Sequence, residues 1–352
     1  MVTLKDIAKR CDVSVSTVSN ILNGIPKVSE ETRQKVLQVI KETGYQPNYI
    51  ARGLRKKKTK LIGIIAEDIS LFSAPIIIES IMSYCEEKNY RTIMVNLRLY
   101  ARWKEQWYHD EEEYYSVLNP AIQELLSIKV DGIIYVPGHA RNMCCFSEDL
   151  KIPAVMTYGY THTPRFPSVV IDDEKGGYDM TEYLLKMGHK RIGVIGGRKD
   201  NIHMDKRLLG YQKALFDRKI FYNPDLVCYG SWDRVCGYKG AETLMKKKVT
   251  AIFCFSDIIA GGVYDYLEEN GLEAPEDISV VGFDDQIIAE YFRPALTTAA
   301  LPLKEIGKKA AELLIQTLEE QVEQKANQVE EISFPCSLIF RKSVKKIVIE
   351  KI

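Results

Sequence analysis

No apolar run in this 352-residue chain approaches the ~20 residues that a membrane-spanning helix needs. The opening MVTLKDIAKR lacks the apolar core of an export signal, which leads to the expectation of a cytoplasmic protein. The eight cysteines (11, 85, 144, 145, 228, 236, 254, 336) include no C-x-x-C pair. Scatter of this kind argues against a disulfide framework or a metal site, and for buried, reduced thiols. Catalytic signatures are missing too. Gly196-Gly197 after a strand does not make G-x-G-x-x-G, and there is no Walker sequence, H-E-x-x-H or G-x-S-x-G. The paired acids Asp172-Asp173 are of a kind common at strand ends and carry no catalytic message alone. No enzyme is expected. The length exceeds one ordinary core and suggests two or three domains.

What is present is concentrated in Leu4–Leu54. Two short helical patterns flank a tight turn at Asp12-Val13-Ser14. Thr3 and Ser14 stand where a hydroxyl can cap the orphan amides of the helix that follows. Leu4, Ile7, Ala8 and Cys11 form one apolar stripe, and Val15, Val18, Ile21 and Leu22 the next. Ser16, Thr17, Ser19, Asn20 and Asn23 fall mainly off the stripe. A free face of Ser, Thr and Asn without an acid suits the major groove, where it can donate to phosphates and base edges. A plain helical bundle with a polar surface gives the same pattern. Charge separates the two readings: residues 1–60 hold thirteen basic and five acidic side chains, so the head is +8 and the remainder −8. A basic head on an acidic body is the footprint of a nucleic-acid module joined to a soluble domain.

VTLKDIAKRCDVSVSTVSNILNG followed by VSEETRQKVLQVIKETGYQPNYIARGL resembles the head of the LacI/GalR family of bacterial transcription regulators, and the likeness runs to about Phe340. The resemblance implies a small all-α, lambda-repressor-like helix-turn-helix domain (1–47). A hinge helix and linker (48–60) would follow, then an α/β core of two doubly wound parallel-sheet subdomains, periplasmic-binding-protein-like. It implies DNA contacts from Thr3, Val15, Ser16, Thr17, Ser19, Asn20, Asn23, Asn48, Ala51 and Leu54. Leu54 matches the leucine that wedges into the minor groove, where unstacking a base step is offset by the contacts a bent duplex allows; an ordinary linker leucine is the plain alternative. At Asn20 the family commonly has Arg, suited to guanine, whereas Asn pairs with adenine.

Ser29 should cap a third helix with Val36, Leu37 and Ile40 inward, closed by Gly44. From Leu61 the chain alternates strand and helix, with apolar strands at 61–66, 91–96, 132–136 and 154–157, then 168–171, 191–195, 251–255 and 278–282. Such alternation means parallel sheets covered on both faces, with ligands at the carboxyl ends of the strands. Crossings between the halves are expected near Thr163, Arg293 and Glu330, giving subdomains 61–163 plus 294–329 and 164–293 plus 330–344. The aromatic, charged stretch Arg98–Ser116 reads as a helix docking on its own subdomain, with a dimer or partner contact as the alternative.

The resemblance extends to a small-molecule effector, a sugar in most of the family, with no cofactor or metal. RLLGYQKAL places Arg207 at the arginine that grips the effector, and a fork of donors suits adjacent hydroxyls. GSWDRVCGY puts Trp232 where an aromatic stacks on the ligand ring, and VVGFDD puts Asp284 where a carboxylate accepts from hydroxyls. FCFSD departs, with Ser256 where the family usually has Asn. His203 lies one helical turn before Arg207, and Phe72 and His139 follow strand ends in the first half. Each could instead be a packing or salt-bridge residue, and Asp284 a helix cap. The resemblance leads to a homodimeric repressor on a near-palindromic operator, released by sugar, with ligand-strengthened DNA binding, as in the purine-responsive branch, as the alternative. A solute-binding protein is the reading from another class. The tail SVKKIVIEKI is too short for a leucine-heptad bundle, which favours a dimer.

Overall fold

A computed structural model describes residues 2–22, 24–45, 58–104, 111–161, 163, 165–320 and 331–347. The chain forms two compact units, 1–60 and 61–352.

The head contains α1 (Leu4–Cys11), α2 (Val15–Leu22) and α3 (Glu30–Thr43). Thr3 and Asp6 close a reciprocal capping box: the Thr3 hydroxyl accepts from the Asp6 amide at 3.3 Å, and the Thr3 amide donates to the Asp6 carboxylate at 2.9 Å. Ser14 accepts from the Thr17 amide at 3.0 Å, and Ser29 caps α3. Asp12 (φ 53) and Gly44 (φ 60) end α1 and α3 in the left-handed conformation, each returning its amide to the last turn. Ile7, Ala8, Cys11, Val18, Ile21 and Val36 form the head's core. Burying a side chain such as Ile7 or Val36 stabilises by roughly 1.5–3 kcal/mol. Leu37 corrects the expectation: it is exposed, and Val39 and Ile40 complete the inward face with Val36 at helical spacing. Asn23 and the hinge candidates Asn48, Ala51 and Leu54 lie outside the described residues.

The larger unit is built on two parallel sheets. The first has the strand order β13-β7-β5-β3-β1-β2, with β1 Leu61–Ala66, β2 Arg91–Asn96, β3 Gly132–Val136, β5 Ala154–Thr157, β7 Ser168–Asp172 and β13 Glu331–Pro335. The second has the order β11-β10-β8-β9, with β8 Ile192–Ile195, β9 Val227–Cys228, β10 Ala251–Cys254 and β11 Ser279–Val281. Two further short strands, β4 (Asn142–Met143) and β6 (Tyr160–Thr161), pair beside the first sheet. The central strands are buried on both faces, which is why they read as apolar runs without alternation. Helices α4 (Ser73–Glu87) and α12 (Leu303–Glu320) pack together over one face of the first sheet, with Ile77, Ile81, Ile306 and Leu314 in their shared core. On the other face lies α6 (Glu111–Ser127), preceded by the short α5 (Leu99–Trp103). Leu99 and Tyr114 are buried there and Trp103 and Tyr115 half-buried, so the described part of Arg98–Ser116 docks on its own subdomain.

The crossings fall later than expected. Ser168–Asp172 pairs with β5, and Glu331–Pro335 pairs with β7, so both strands belong to the first sheet. Strand β12 (Thr298–Ala300) continues the second half through the Val281–Thr297 and Asp284–Ala300 bridges and pairs antiparallel with β14 (Ser337–Ile339). The chain therefore crosses after Asp172, after Ala300 and after Pro335, rather than near 163, 293 and 330. Neither the buried apolar β7 nor the half-exposed edge strand β13 carries a mark of the sheet it joins, so the position of a crossing is not written in local pattern.

Candidate functional site

In the head, α2 carries no charged side chain. Ser16 is exposed on it, while Thr17, Ser19 and Asn20 are half-buried. The hydroxyls of Ser16 and Thr17 lie 2.6 and 2.8 Å from that of Ser14, a cluster that can turn a donor or acceptor outward. Val15 is half-buried against the head's core, and the Thr3 hydroxyl is engaged by Asp6. These two positions are thus committed first to folding the head.

In the core, the structure brings five of the seven effector candidates together with Asp173, Asp257 and Gln286, of which Asp173 is the central one. Helix α7 (Asp173–Lys186) starts where β7 ends, capped by Asp172, whose carboxylate accepts from the Lys175 amide at 3.0 Å. It lies against α8 (Ile202–Asp217), capped by Asn201. The approach is close: a Cβ at Gly177 would sit 2.3 Å from the Arg207 carbonyl, and one at Gly210 would sit 2.0 Å from that of Glu174. Only glycine allows it. The result places Asp173 opposite two successive turns of α8. One Asp173 oxygen accepts from His203 Nδ1 at 2.7 Å, and the other from Arg207 Nε at 2.8 Å. The one-turn spacing of His203 and Arg207 is realised as a shared carboxylate.

Arg207 is 2% exposed. Its Nη1 also donates to the Phe255 carbonyl and lies 3.5 Å from Asp284 Oδ1, and its plane sits over the Phe283 ring, 3.7 Å from the centroid. Burial opposes the charges here, but the partners prevail: Asp173 is held below the usual carboxylate range by His203 and Arg207, and Arg207 is raised by Asp173 and Asp284. Asp284 goes the other way. Burial pushes its carboxyl up to about 7 despite Arg207 and hydrogen bonds from Gln286 and Ser256, and Asp173 adds to the rise. Its backbone has φ 108, a conformation few L-residues adopt, costing roughly 1–3 kcal/mol and held by its amide bond to Ala299 at 2.8 Å. Asp257, also buried, accepts from Thr298 Oγ1 at 2.6 Å and the Gln286 amide at 2.7 Å. Burial, with the Asp284 charge nearby, raises it well above the usual range.

Ser256 caps α10 (Asp257–Glu269) by accepting from the Ile258 amide at 3.1 Å. The Trp232 indole lies against Gly197, with its face 5.9 Å from the Arg207 guanidinium. Its Nε1 is buried and has no hydrogen-bond partner among the described residues. His203 also reaches the other half of the core: its Nε2 accepts from the Ala140 amide at 3.3 Å, and its ring lies 5.0 Å from that of Tyr158. With Nε2 accepting from Ala140, Nδ1 is the nitrogen that donates to Asp173. His139 is half-buried next to Ala140, and burial, with His203, Arg141 and Arg198 nearby, pushes it down to about 3. Phe72, at the start of α4, is exposed. The arrangement offers a guanidinium, two buried carboxyl groups, an orphan indole donor and aromatic faces, the equipment for a polar ring. Among the described residues no group of three or more His, Cys, Asp or Glu is placed to hold a metal.

Asp173 is the residue that motif reading missed. Its only signal was the pair Asp172-Asp173 at a strand end, where one acid caps the helix and the next faces inward.

Residues 3–48 match the model of bacterial regulatory proteins of the lacI family, and residues 181–344 that of a periplasmic binding protein-like domain. The chain is 36% identical over 320 residues to the HTH-type transcriptional regulator RegA of Clostridium saccharobutylicum, covering 90% of this chain and 92% of that one. It is 32% identical over 320 residues to the ribose operon repressor of Haemophilus influenzae, with the same coverage of 90% and 92%. A crystal structure of the lac repressor dimer bound to operator and the anti-inducer ONPF superposes with a TM-score of 0.80 at 26% identity, covering 98% of this chain and 99% of that one.

Proposed function

The chain belongs to the lacI family of bacterial regulatory proteins, and we propose that it is a homodimeric repressor released from its operator when a sugar binds between the two halves of its core. It is a DNA-binding, ligand-responsive transcriptional regulator and not an enzyme. The observation that carries the effector reading is the buried cluster of Asp173, His203, Arg207 and Asp284, joined to the opposite half through Ala140. Arg207 is already neutralised by Asp173, and Asp284 and Asp257 both have raised affinity for protons. A site so nearly balanced favours an uncharged ligand with several hydroxyls over an anion. Trp232 would cover the ring's C–H face, and Ser256, shorter than Asn, would leave room for a substituent. Phe72 and His139 would close from the first half.

On the DNA side, Ser16, Thr17, Ser19, Asn20 and Asn23 would meet the major groove, with Thr3 and Val15 at its rim. Asn48, Ala51 and Leu54 would enter the minor groove when the hinge winds up on DNA. Dimerisation is supported by Ile76 and Met82 on α4 and by Ile93 and Met94 on the edge strand β2, which leave apolar surface uncovered at one side of the first sheet. Two copies related by a twofold axis would read a near-palindrome. A cytoplasmic location goes with this reading. Among the described residues no helix is long and apolar enough to cross a membrane.

Selection from random duplex DNA should return a near-palindrome. A gel shift on that sequence with a panel of mono- and oligosaccharides should find one that weakens binding. A ligand that strengthens binding would establish the co-repressor sign instead, and equal, salt-driven attachment to every DNA would overturn the proposal.

A further inference from the structure

Glu67 directly follows β1 and is 1% exposed, yet it carries a carboxylate with four donors. Oε1 accepts from the Tyr135 hydroxyl at 2.8 Å and from Arg141 Nη2, and Oε2 accepts from the Gly138 amide at 2.7 Å and Arg141 Nη1 at 2.9 Å. The arginine fork is thus bidentate, which fixes its plane as well as its distance. Tyr135 has one hydroxyl proton and gives it to Glu67, so in its 2.8 Å contact with the Tyr114 hydroxyl Tyr135 accepts and Tyr114 donates. Tyr114 is 6% exposed and comes from the first turns of α6, the end of the aromatic stretch whose role the site above does not use.

The loop from Gly138 to Arg141 is therefore clamped to one carboxylate at both its ends. Ala140 lies between the clamps, and its amide is the group that meets His203 Nε2 across the core. Glu67 itself does not touch the Asp173–His203–Arg207 cluster by any hydrogen bond described for it. It acts on the far partner of that cluster.

We propose that Glu67 is a positioning residue for closure of the core: by gripping Arg141 and the Gly138 amide it presents the Ala140 N–H to His203, and through Tyr135 it ties that presentation to Tyr114 of the aromatic insertion. Its consequence for regulation rests on the effector reading given above, but the geometry does not, and the test needs neither effector nor DNA. In the full-length chain, amide hydrogen exchange and histidine 15N spectra are compared for wild type, Glu67→Gln, Arg141→Met and Tyr114→Phe. Glu67→Gln and Arg141→Met should each speed exchange at Gly138 and Ala140 by about tenfold or more, while Ile64 in β1 and Ile134 in β3 keep their protection. The His203 Nε2 resonance should move towards that of a ring without a donor. Tyr114→Phe, which removes only the outermost donor, should give the same pattern in weaker form and keeps the test open if Glu67→Gln does not fold. Unchanged Ala140 exchange and an unmoved His203 resonance would overturn the proposal. So would a rise at Ile64 and Ile134 in step with Ala140, because Glu67 would then be filling the core and no more. A chain that ignored every sugar would still give the expected exchange pattern, so failure of the effector reading is distinguishable.

Discussion

Asp173 is fully buried and serves two partners, so removing its charge is the sharpest test of the cluster. Asp173→Asn keeps the shape of the side chain and one acceptor oxygen, but leaves the Arg207 cation at 2% exposure with no charged partner nearer than Asp284 at 3.5 Å. Breaking a buried ion pair by removing one member typically costs about 3–5 kcal/mol. The low end applies here, because Asp284 can take up part of the role once the neighbouring negative charge is gone. A loss of about 3 kcal/mol should lower the melting temperature by roughly 6–12 °C in a domain of this size class. All three tryptophans, 103, 107 and 232, belong to the larger unit, so tryptophan fluorescence during urea unfolding reports that unit alone. Arg207→Met in the same background should recover part of the loss, with a coupling energy of about 2 kcal/mol in the double-mutant cycle. The Asp284 carboxyl should also titrate below its present value of about 7, since Asp173 is among the causes that raise it. A loss under about 1 kcal/mol with additive single effects would refute the account, because Arg207 would then not depend on Asp173.

Asp284 has a folded pKa of about 7 against 3.8 for an ordinary aspartate, so its contribution is fully present at acid pH and is lost as pH rises through 7. Relative to Asp284→Asn, the wild type should lose stability by about 1.4 kcal/mol per pH unit between pH 5 and 7, read as the difference in unfolding free energy; parallel curves would refute the raised value. Asn20→Arg should move the preference at one position per half-site from A·T to G·C, by about 1–3 kcal/mol of discrimination in selection from random DNA. An unchanged preference would remove Asn20 from the base-reading face. Gly177→Ala forces a Cβ to within 2.3 Å of the Arg207 carbonyl, so α7 and α8 must separate, at a cost of about 1–3 kcal/mol by urea unfolding. Tryptophan fluorescence should shift with it, since the Trp232 indole lies near the Arg207 side chain.

The features legible in the sequence are those whose physics is local. Thr3, Ser14 and Ser29 cap within three residues of themselves, and Gly44 closes α3 within one turn. Strands β1, β3 and β5 stand where their apolar runs do, because a buried parallel strand must be apolar throughout. Leu37 is exposed although its spacing predicts an inward residue, because the run Val-Leu-Gln-Val-Ile offers two overlapping stripes and packing in the head's core chooses Val36, Val39 and Ile40. The crossings differ from those the pattern predicts for a related reason. SVVID and EISFP satisfy either sheet, and the choice rests on pairing with β5 and β7, contacts remote in sequence.

The site divides along the same line. Arg207 and His203 were legible as one face of a helix because four residues make about one turn, and the structure turns that spacing into two hydrogen bonds to a single acid. The acid itself was not legible, since Asp173 stands next to an Asp172 with an ordinary capping task, and only the glycine-mediated approach of α7 to α8 tells them apart. The link that matters most for regulation had no side-chain signature at all. His203 meets the opposite half through the backbone amide of Ala140, and any residue but proline could supply that group. What selects Ala140 is the clamp on its loop by Glu67 and Arg141, residues that lie 74 positions apart in the chain. A regulator whose two halves communicate through a backbone amide can therefore change many residues in that loop without losing the contact, provided the carboxylate that aims the amide is kept.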